Sequence, residues 1–254
     1  PIPTQDSSSA ASDVYTRQTM SKNLLIIGGS GGIGSAVVGQ LADAGHHLTV
    51  TTRDPAKVAA REGISVQRFD VEDGSYSLAL PEVLDGVVYL PGTILLKPFH
   101  RLTLDEMRRD MEVNHFGAIR VLQEALPALK KSGSASASVV LFSSVAATTG
   151  MAMHSSIAPA KAAVEGLGRS LAAEWAPKVR VNVIAPSLTD TPLAAPILSS
   201  DERREAAGKR HPLHRVGDAS EVASMVKFLI EDSSAFITGQ VFGIDGGMSS
   251  LRPL

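Results

Sequence analysis

The residues Gly28-Gly29-Ser30-Gly31-Gly32-Ile33-Gly34 lie between an apolar run, Leu24-Leu25-Ile26-Ile27, and a stretch in which Ala36, Val37, Val38 and Leu41 recur at helical spacing. Strand, glycine turn and helix in that order leave few folds open. Glycines permit positive φ and let bare backbone approach a ligand, while the unpaired amides and positive dipole end of the following helix suit a pyrophosphate. Two spacings are satisfied at once. Gly29, Gly31 and Gly34 form G-x-G-x-x-G, and Gly28, Gly32 and Gly34 form G-x-x-x-G-x-G. The expected cradle is Gly28, Ser30, Gly32, Ile33 and Gly34.

Further along, short β-rich runs alternate with longer amphipathic stretches, which predicts βαβ units around a parallel sheet covered by helices on both faces. Seven strands are expected, near Asn23 to Ile27, Leu48 to Thr51, Ser65 to Phe69, Gly86 to Leu90, Ser138 to Phe142, Arg180 to Ile184 and Gln240 to Ile244. The expected fold class is thus α/β, a Rossmann-type doubly wound sheet in one domain over residues 21–254. Residues 1–20 are read as a polar tail or leader outside that domain. Thr103-Leu104-Asp105-Glu106 has the form of a capping box, predicting a long helix to about Lys131 whose end Pro127 bends. Asp218 to Glu221 offers a second helix start.

The 254-residue chain is 44% hydrophobic and 20% charged, enough apolar surface for a large core. A net charge of −2 gathers no polyanion, so neither nucleic acid nor an anionic membrane is an expected partner; a small molecule is. The absence of cysteine excludes disulfides, a thiolate nucleophile and cysteine-containing zinc sites, and no metal is expected. It suits a reducing cytosol, and a cytoplasmic protein is expected. The first twenty residues lack the apolar core of a signal peptide, and Asp6 and Asp13 argue against a transit peptide.

About twenty residues beyond the glycines, a carboxylate would favour the free ribose 2′-hydroxyl of NAD, and an arginine a 2′-phosphate. The chain reads Thr51-Thr52-Arg53 there. NADP(H) is the favoured cofactor, held by Arg53 with Thr52; Asp54 beside them keeps NAD(H) as the alternative.

The glycine string in its second spacing, Asn114, Ser143-Ser144, Lys161, Pro186 to Thr191 and Asp245-Gly246-Gly247 resemble, in that order, the landmarks of the short-chain dehydrogenase/reductase family. The resemblance covers Lys22 to Ser250. It implies that Asp70 and Val71 meet the adenine, that Pro91 and Gly92 line the cofactor cleft, and that Pro186, Leu188, Thr189 and Thr191 wrap the nicotinamide. It also implies that Lys161 holds the nicotinamide ribose, Ser144 orients a carbonyl and Asn114 relays water, although Asn114 can equally be structural. Ile27 stands where the family has threonine, and Ser187 where it often has glycine.

In that family a tyrosine precedes the lysine by four residues, on the same helix face. Here that position is Ile157, which can neither donate nor accept a proton. The three tyrosines are Tyr15, Tyr76 and Tyr89. Tyr89 falls near the cleft as a packing residue. His154 is the nearest substitute, because imidazole exchanges protons near neutral pH, with a polar loop residue as the plainer alternative.

Two functions fit. One is an oxidoreductase moving hydride between a nicotinamide and a carbonyl, alcohol or activated alkene by a non-tyrosine proton route. The other is a cofactor-binding but silent sensor or partner subunit. Residues from Pro192 to Arg215 are expected to form a lid whose cluster Lys209-Arg210-His211, His214 and Arg215 could select an anionic substrate but is read as a solvated face. The resemblance implies a homodimer or homotetramer; the stripe Val121, Leu122 and Leu126 suits such an interface or the underside of the sheet equally.

Overall fold

A computed structural model describes residues 21–74 and 77–252. The tail, with Tyr15, and Tyr76 lie outside the described residues. Seven parallel strands form one sheet: β1 (Asn23–Ile27), β2 (His47–Thr52), β3 (Ile64–Arg68), β4 (Gly86–Tyr89), β5 (Ala137–Phe142), β6 (Val179–Pro186) and β9 (Val241–Ile244). All seven expected strands are present, with ends moved by one or two residues. Two short strands that hydrophobic patterning did not reveal, β7 (Thr189–Asp190) and β8 (Gly217–Asp218), pair with each other. They tie the chain after β6 to the start of the last helix.

The sheet order is β3-β2-β1-β4-β5-β6-β9. Strand succession runs one way from β1 to β3 and the other way from β4 to β6, so it reverses between β1 and β4. Ligands bind open α/β sheets beyond the strand ends at such a reversal. Ile27 pairs in register with both Thr51 and Tyr89, which brings the residues after β1, β2 and β4 to one edge.

Side chains alternate across each strand, and the two cores follow that alternation. Leu25, Ile27, Val139 and Leu141 face α3 (Gly117–Leu129) and α4 (Ile157–Trp175), through Val121, Leu122, Val164 and Trp175. Leu24, Ile26, Val140 and Ile184 face α1 (Gly32–Asp43) and α6 (Ala219–Ile230), through Val37, Leu41, Val226 and Leu229. Val121 and Leu122 are each only 1% exposed and pack on the sheet, with Leu126 partly buried beside them.

Both capping boxes form, at Thr103 with Glu106 and at Asp218 with Glu221. The long helix expected after Thr103 is interrupted. It runs as α2 (Leu104–Met111), widens into a π turn over Glu112–Phe116, and resumes as α3. The Asn114 side-chain Nδ2 donates to the Asp110 carbonyl at 2.7 Å, and the Gly117 N–H reaches back five residues to Glu112 O. A wide turn of this kind re-aims side chains and is common at functional sites. The remaining helix, α5 (Asp201–Gly208), lies in the segment after β6. No described helix is long and apolar enough to cross a membrane.

Candidate active site

The glycine turn is shaped by contact as well as by conformation. Gly28 has φ +82°, and the N–H groups of Gly28 and Gly29 both donate to Thr51 O, at 3.0 and 3.1 Å. A Cβ on Gly34 would strike the carbonyl of Gly28, and one on Gly32 would stand 2.6 Å from Cβ of Thr191. No side chain caps α1, and no acidic residue occupies its first turn. Its leading amides and dipole therefore face a crevice of about 920 Å³.

Gly28, Ser30, Gly32, Ile33, Gly34, Thr52, Arg53, Asp70, Val71, Pro91, Gly92 and Thr191 all line that crevice. Thr52 is buried, and its Oγ1 lies 2.5 Å from the Ser30 hydroxyl. Arg53 is exposed, with Lys57 on the same wall. Asp54 points its carboxylate at the Ala56 N–H. The Asp70 carboxylate accepts from Glu72 N.

A second cavity, of about 240 Å³, opens from the crevice and shares Ile33, Gly92, Thr93, Phe142 and Thr191 with it. Its walls include Ser144, His154, Ile157, Lys161, Pro186, Leu188 and Thr189. Apolar side chains such as Leu96, Met151 and Ile197 supply much of the rest. Ser144 caps a short turn, and its Oγ accepts from the Ala146 N–H at 3.2 Å. The hydroxyl proton remains available to the cavity.

Lys161 is buried one turn into α4, and its Nζ donates to Phe142 O at 3.0 Å. Burial lowers its pKa to about 8, against the opposing pull of the Asp110 carboxylate. Asn114 is 1% exposed, and its Oδ1 has no hydrogen-bond partner among the described residues. Lys161 Nζ and Asn114 Oδ1 lie 3.2 and 3.3 Å from where a Cβ on Gly92 would stand. Spare ammonium protons and an orphaned acceptor at one bare glycine suit a ligand that both donates and accepts, as ribose hydroxyls do.

Ile157 lines the cavity at the first position of α4, and among the described residues no tyrosine lines it. Tyr89 is a packing residue: its hydroxyl donates to Val113 O at 2.6 Å, and burial raises its pKa well above the phenol range. His154 reaches the cavity half-buried, with Nδ1 2.7 Å from Ala152 O.

One expectation is corrected. In the basic cluster, Lys209 pairs with Glu205 and Arg215 with Glu221 at the surface, but His211 is 2% exposed and lines the cavity with Arg210. Charge counting placed His211 on a solvated face because the return of the chain beneath Asp245 leaves no local sequence signal.

The model of the family described as enoyl-(acyl carrier protein) reductase matches residues 28–249. This chain belongs to the short-chain dehydrogenase/reductase family. A tropinone reductase homolog of Arabidopsis thaliana is 35% identical over 244 residues, covering 89% of this chain and 92% of the relative. Among solved structures, ligand-free aldohexose dehydrogenase of Thermoplasma acidophilum superposes with a TM-score of 0.82 at 28% identity, covering 92% of this chain and 96% of that one. The Pseudomonas aeruginosa RhlG/NADP active-site complex gives 0.83 at 27% identity, with 91% and 98% covered. The likeness thus spans crevice and cavity together.

Proposed function

We propose that the chain is an NADP(H)-dependent oxidoreductase that reduces the carbonyl group, or the activated alkene, of a compact and largely apolar substrate. The observation that carries this reading is the continuity between the crevice at the glycine turn and the apolar cavity holding Ser144 and Lys161. When bound, the cofactor supplies a hydride. The amides at the start of α1 would hold its diphosphate, Arg53 with Thr52 its 2′-phosphate, Asp70 and Val71 its adenine, and Lys161 with Asn114 its nicotinamide ribose. Pro186, Leu188, Thr189 and Thr191 would flank the nicotinamide. Ser144 orients the substrate oxygen by donating its free hydroxyl proton, and the apolar walls exclude water from the reacting face.

Names among the relatives agree with both substrate types: tropinone is a ketone, and an enoyl thioester is an activated alkene. An NADP complex among the structural neighbours, and the lack of a carboxylate at Arg53, support the phosphorylated cofactor over NAD(H). The ketone and alkene arms are distinguished by titrating NADPH by its fluorescence, following its oxidation with cyclohexanone, acetophenone and 2-cyclohexenone, and identifying the product of the last as the allylic alcohol or the saturated ketone. Tight binding with turnover of at least one probe is expected. Failure to bind NADPH would sink the reading at its root.

A second reading is favoured by Ile157, whose aliphatic side chain occupies the cavity wall four residues before Lys161. It is a silent, NADP(H)-binding sensor or partner subunit, and it predicts the same binding with no protein-dependent oxidation. Both readings place the chain in a homodimer or homotetramer, which light scattering on the purified protein measures.

A further inference from the structure

The cavity contains a hydroxyl paired with a buried imidazole. His211 Nδ1 lies 2.9 Å from Ala207 O, and Nε2 lies 2.9 Å from Ser187 Oγ. A carbonyl can only accept, so Nδ1 carries a proton, and in the neutral ring Nε2 is the acceptor of the Ser187 O–H. Both residues line the cavity that contains Ser144 and Ile157.

We propose that Ser187 and His211 are the proton relay of this site, delivering to the substrate the proton that Ile157 cannot. The proposal rests on the oxidoreductase reading above. Protonation of His211 reverses the shared hydrogen bond: Nε2–H now donates to Ser187 Oγ, and the hydroxyl hydrogen of Ser187 is released toward the cavity. As the carbonyl carbon accepts hydride from the dihydronicotinamide, the π pair moves to oxygen, and that oxygen takes the Ser187 proton. Ser187 Oγ regains a proton from Nε2, and His211 is left neutral. The products are the alcohol and oxidised nicotinamide, and solvent reloads the imidazole. Run backward, neutral His211 is the base for alcohol oxidation.

Charged groups of both signs surround His211. Asp245 faces it from the end of β9, and Arg210 precedes it in the chain; Lys161 lies on the same cavity. Desolvation works against ionising Asp245, but hydrogen bonds from Ser249 and the Gly247 N–H, with the charge of His211, outweigh it and hold its pKa below the usual value. His154 lines the same cavity but is half-buried, and its ring nitrogen meets the Ala152 carbonyl rather than a cavity hydroxyl.

The test has two arms. In the cofactor-free protein, nitrogen NMR of labelled histidine above its titration should find His211 as the Nδ1–H tautomer with Nε2 as acceptor. The opposite tautomer overturns the relay. With whichever of cyclohexanone, acetophenone and 2-cyclohexenone is turned over, Ser187→Ala and His211→Gln should each lower kcat by about 10²–10⁴ while the NADPH dissociation constant stays within threefold. His211→Gln should also remove one limb of the pH profile.

Ser187→Thr, which keeps a hydroxyl, should retain activity within tenfold, so the comparison survives if Ser187→Ala is unstable. Unchanged kcat in both variants overturns the relay and leaves the oxidoreductase intact. Loss of the pH limb in His154→Gln instead of His211→Gln does the same. NADPH binding without turnover of any probe overturns relay and oxidoreductase together.

Discussion

The Ser156 hydroxyl donates to Oδ2 of Asp110 across 2.5 Å, joining the start of α4 to the end of α2 directly beside Ile157. Thr93 Oγ1 donates to the other carboxylate oxygen at 2.6 Å, and Asn114 Nδ2 bonds both Thr93 Oγ1 and the Asp110 carbonyl. One carboxylate, 2% exposed, thus fixes the loop after β4, the π turn and the helix that presents Lys161. Asp110→Ala would leave the buried Ser156 hydroxyl and the part-buried Thr93 hydroxyl without their acceptor. With charge-assisted bonds worth about 1.5–3 kcal/mol each, a loss of about 3 kcal/mol is expected in urea unfolding. Asp110→Asn, which keeps one acceptor oxygen, should lose less; equal losses would show that the network does not carry the effect.

Burial of Lys161 makes stability depend on pH. Its ammonium titrates near 10.5 in the unfolded chain and at about 8 in the folded one. Below the lower value both states hold the proton, and the full cost of burying the charge is present. Between the two values the unfolded chain binds the extra proton, so stability rises with pH across that window. Lys161→Met removes the titration. The difference between wild-type and variant unfolding free energies, measured from pH 7 to 11 without cofactor, should therefore slope in that direction. A flat difference would contradict the buried, cation-destabilised lysine.

The sheet was readable because each strand is a short apolar or β-branched run closed by a turn signal, and because parallel strands buried on both faces cannot hide among polar residues. The cradle was readable because glycine is required where Gly32 and Gly34 touch backbone or side chain. Other features depend on contacts made far along the chain. Nothing local in Arg210-His211-Pro212 announces that the imidazole turns inward to Ser187, and the π turn requires Asn114 to find Asp110 four residues back. Asp110 itself looks like any helix acid until Thr93 and Ser156 close over it. Ile157 was visible at once, since a missing group at a fixed spacing is a local fact.

Gly92→Ala tests the ribose end of the crevice. The added methyl would stand 3.2 Å from Lys161 Nζ and 3.3 Å from Asn114 Oδ1, so both must give way by a few tenths of an ångström. NADPH affinity measured by fluorescence titration should fall at least tenfold, about 1.4 kcal/mol. Unfolding stability should move much less, because Gly92 has ordinary backbone geometry in a loop. Affinity within twofold of wild type would place the ribose elsewhere.

Arg53→Ala tests cofactor choice. Its guanidinium is exposed on the crevice wall, where it can grip a 2′-phosphate with paired donors but finds no such partner on NAD(H). Loss of a charge-assisted contact of about 1.5–3 kcal/mol should weaken NADPH by roughly 10–100-fold and leave NADH nearly unchanged. Parallel losses for the two nucleotides would mean that Arg53 does not read the phosphate.

Ile157→Tyr reveals how the cavity handles protons. Ile157 opens α4 four residues before Lys161, so a tyrosine there would carry its phenol into the cavity near the ammonium and Ser144. Ile157 is 5% exposed and lines the cavity, so the larger ring must be taken up there, and the folding cost should stay within about 1–3 kcal/mol. If Ser187 and His211 pass the proton in the native chain, Ile157→Tyr alone should change the rate modestly, because one donor suffices. Combined with Ser187→Ala, it should restore much of the kcat that Ser187→Ala loses, by about 10²-fold or more, since the phenol bypasses the broken relay. Multiplicative effects of the two substitutions, with no rescue, would mean that the phenol and the serine do not serve the same proton.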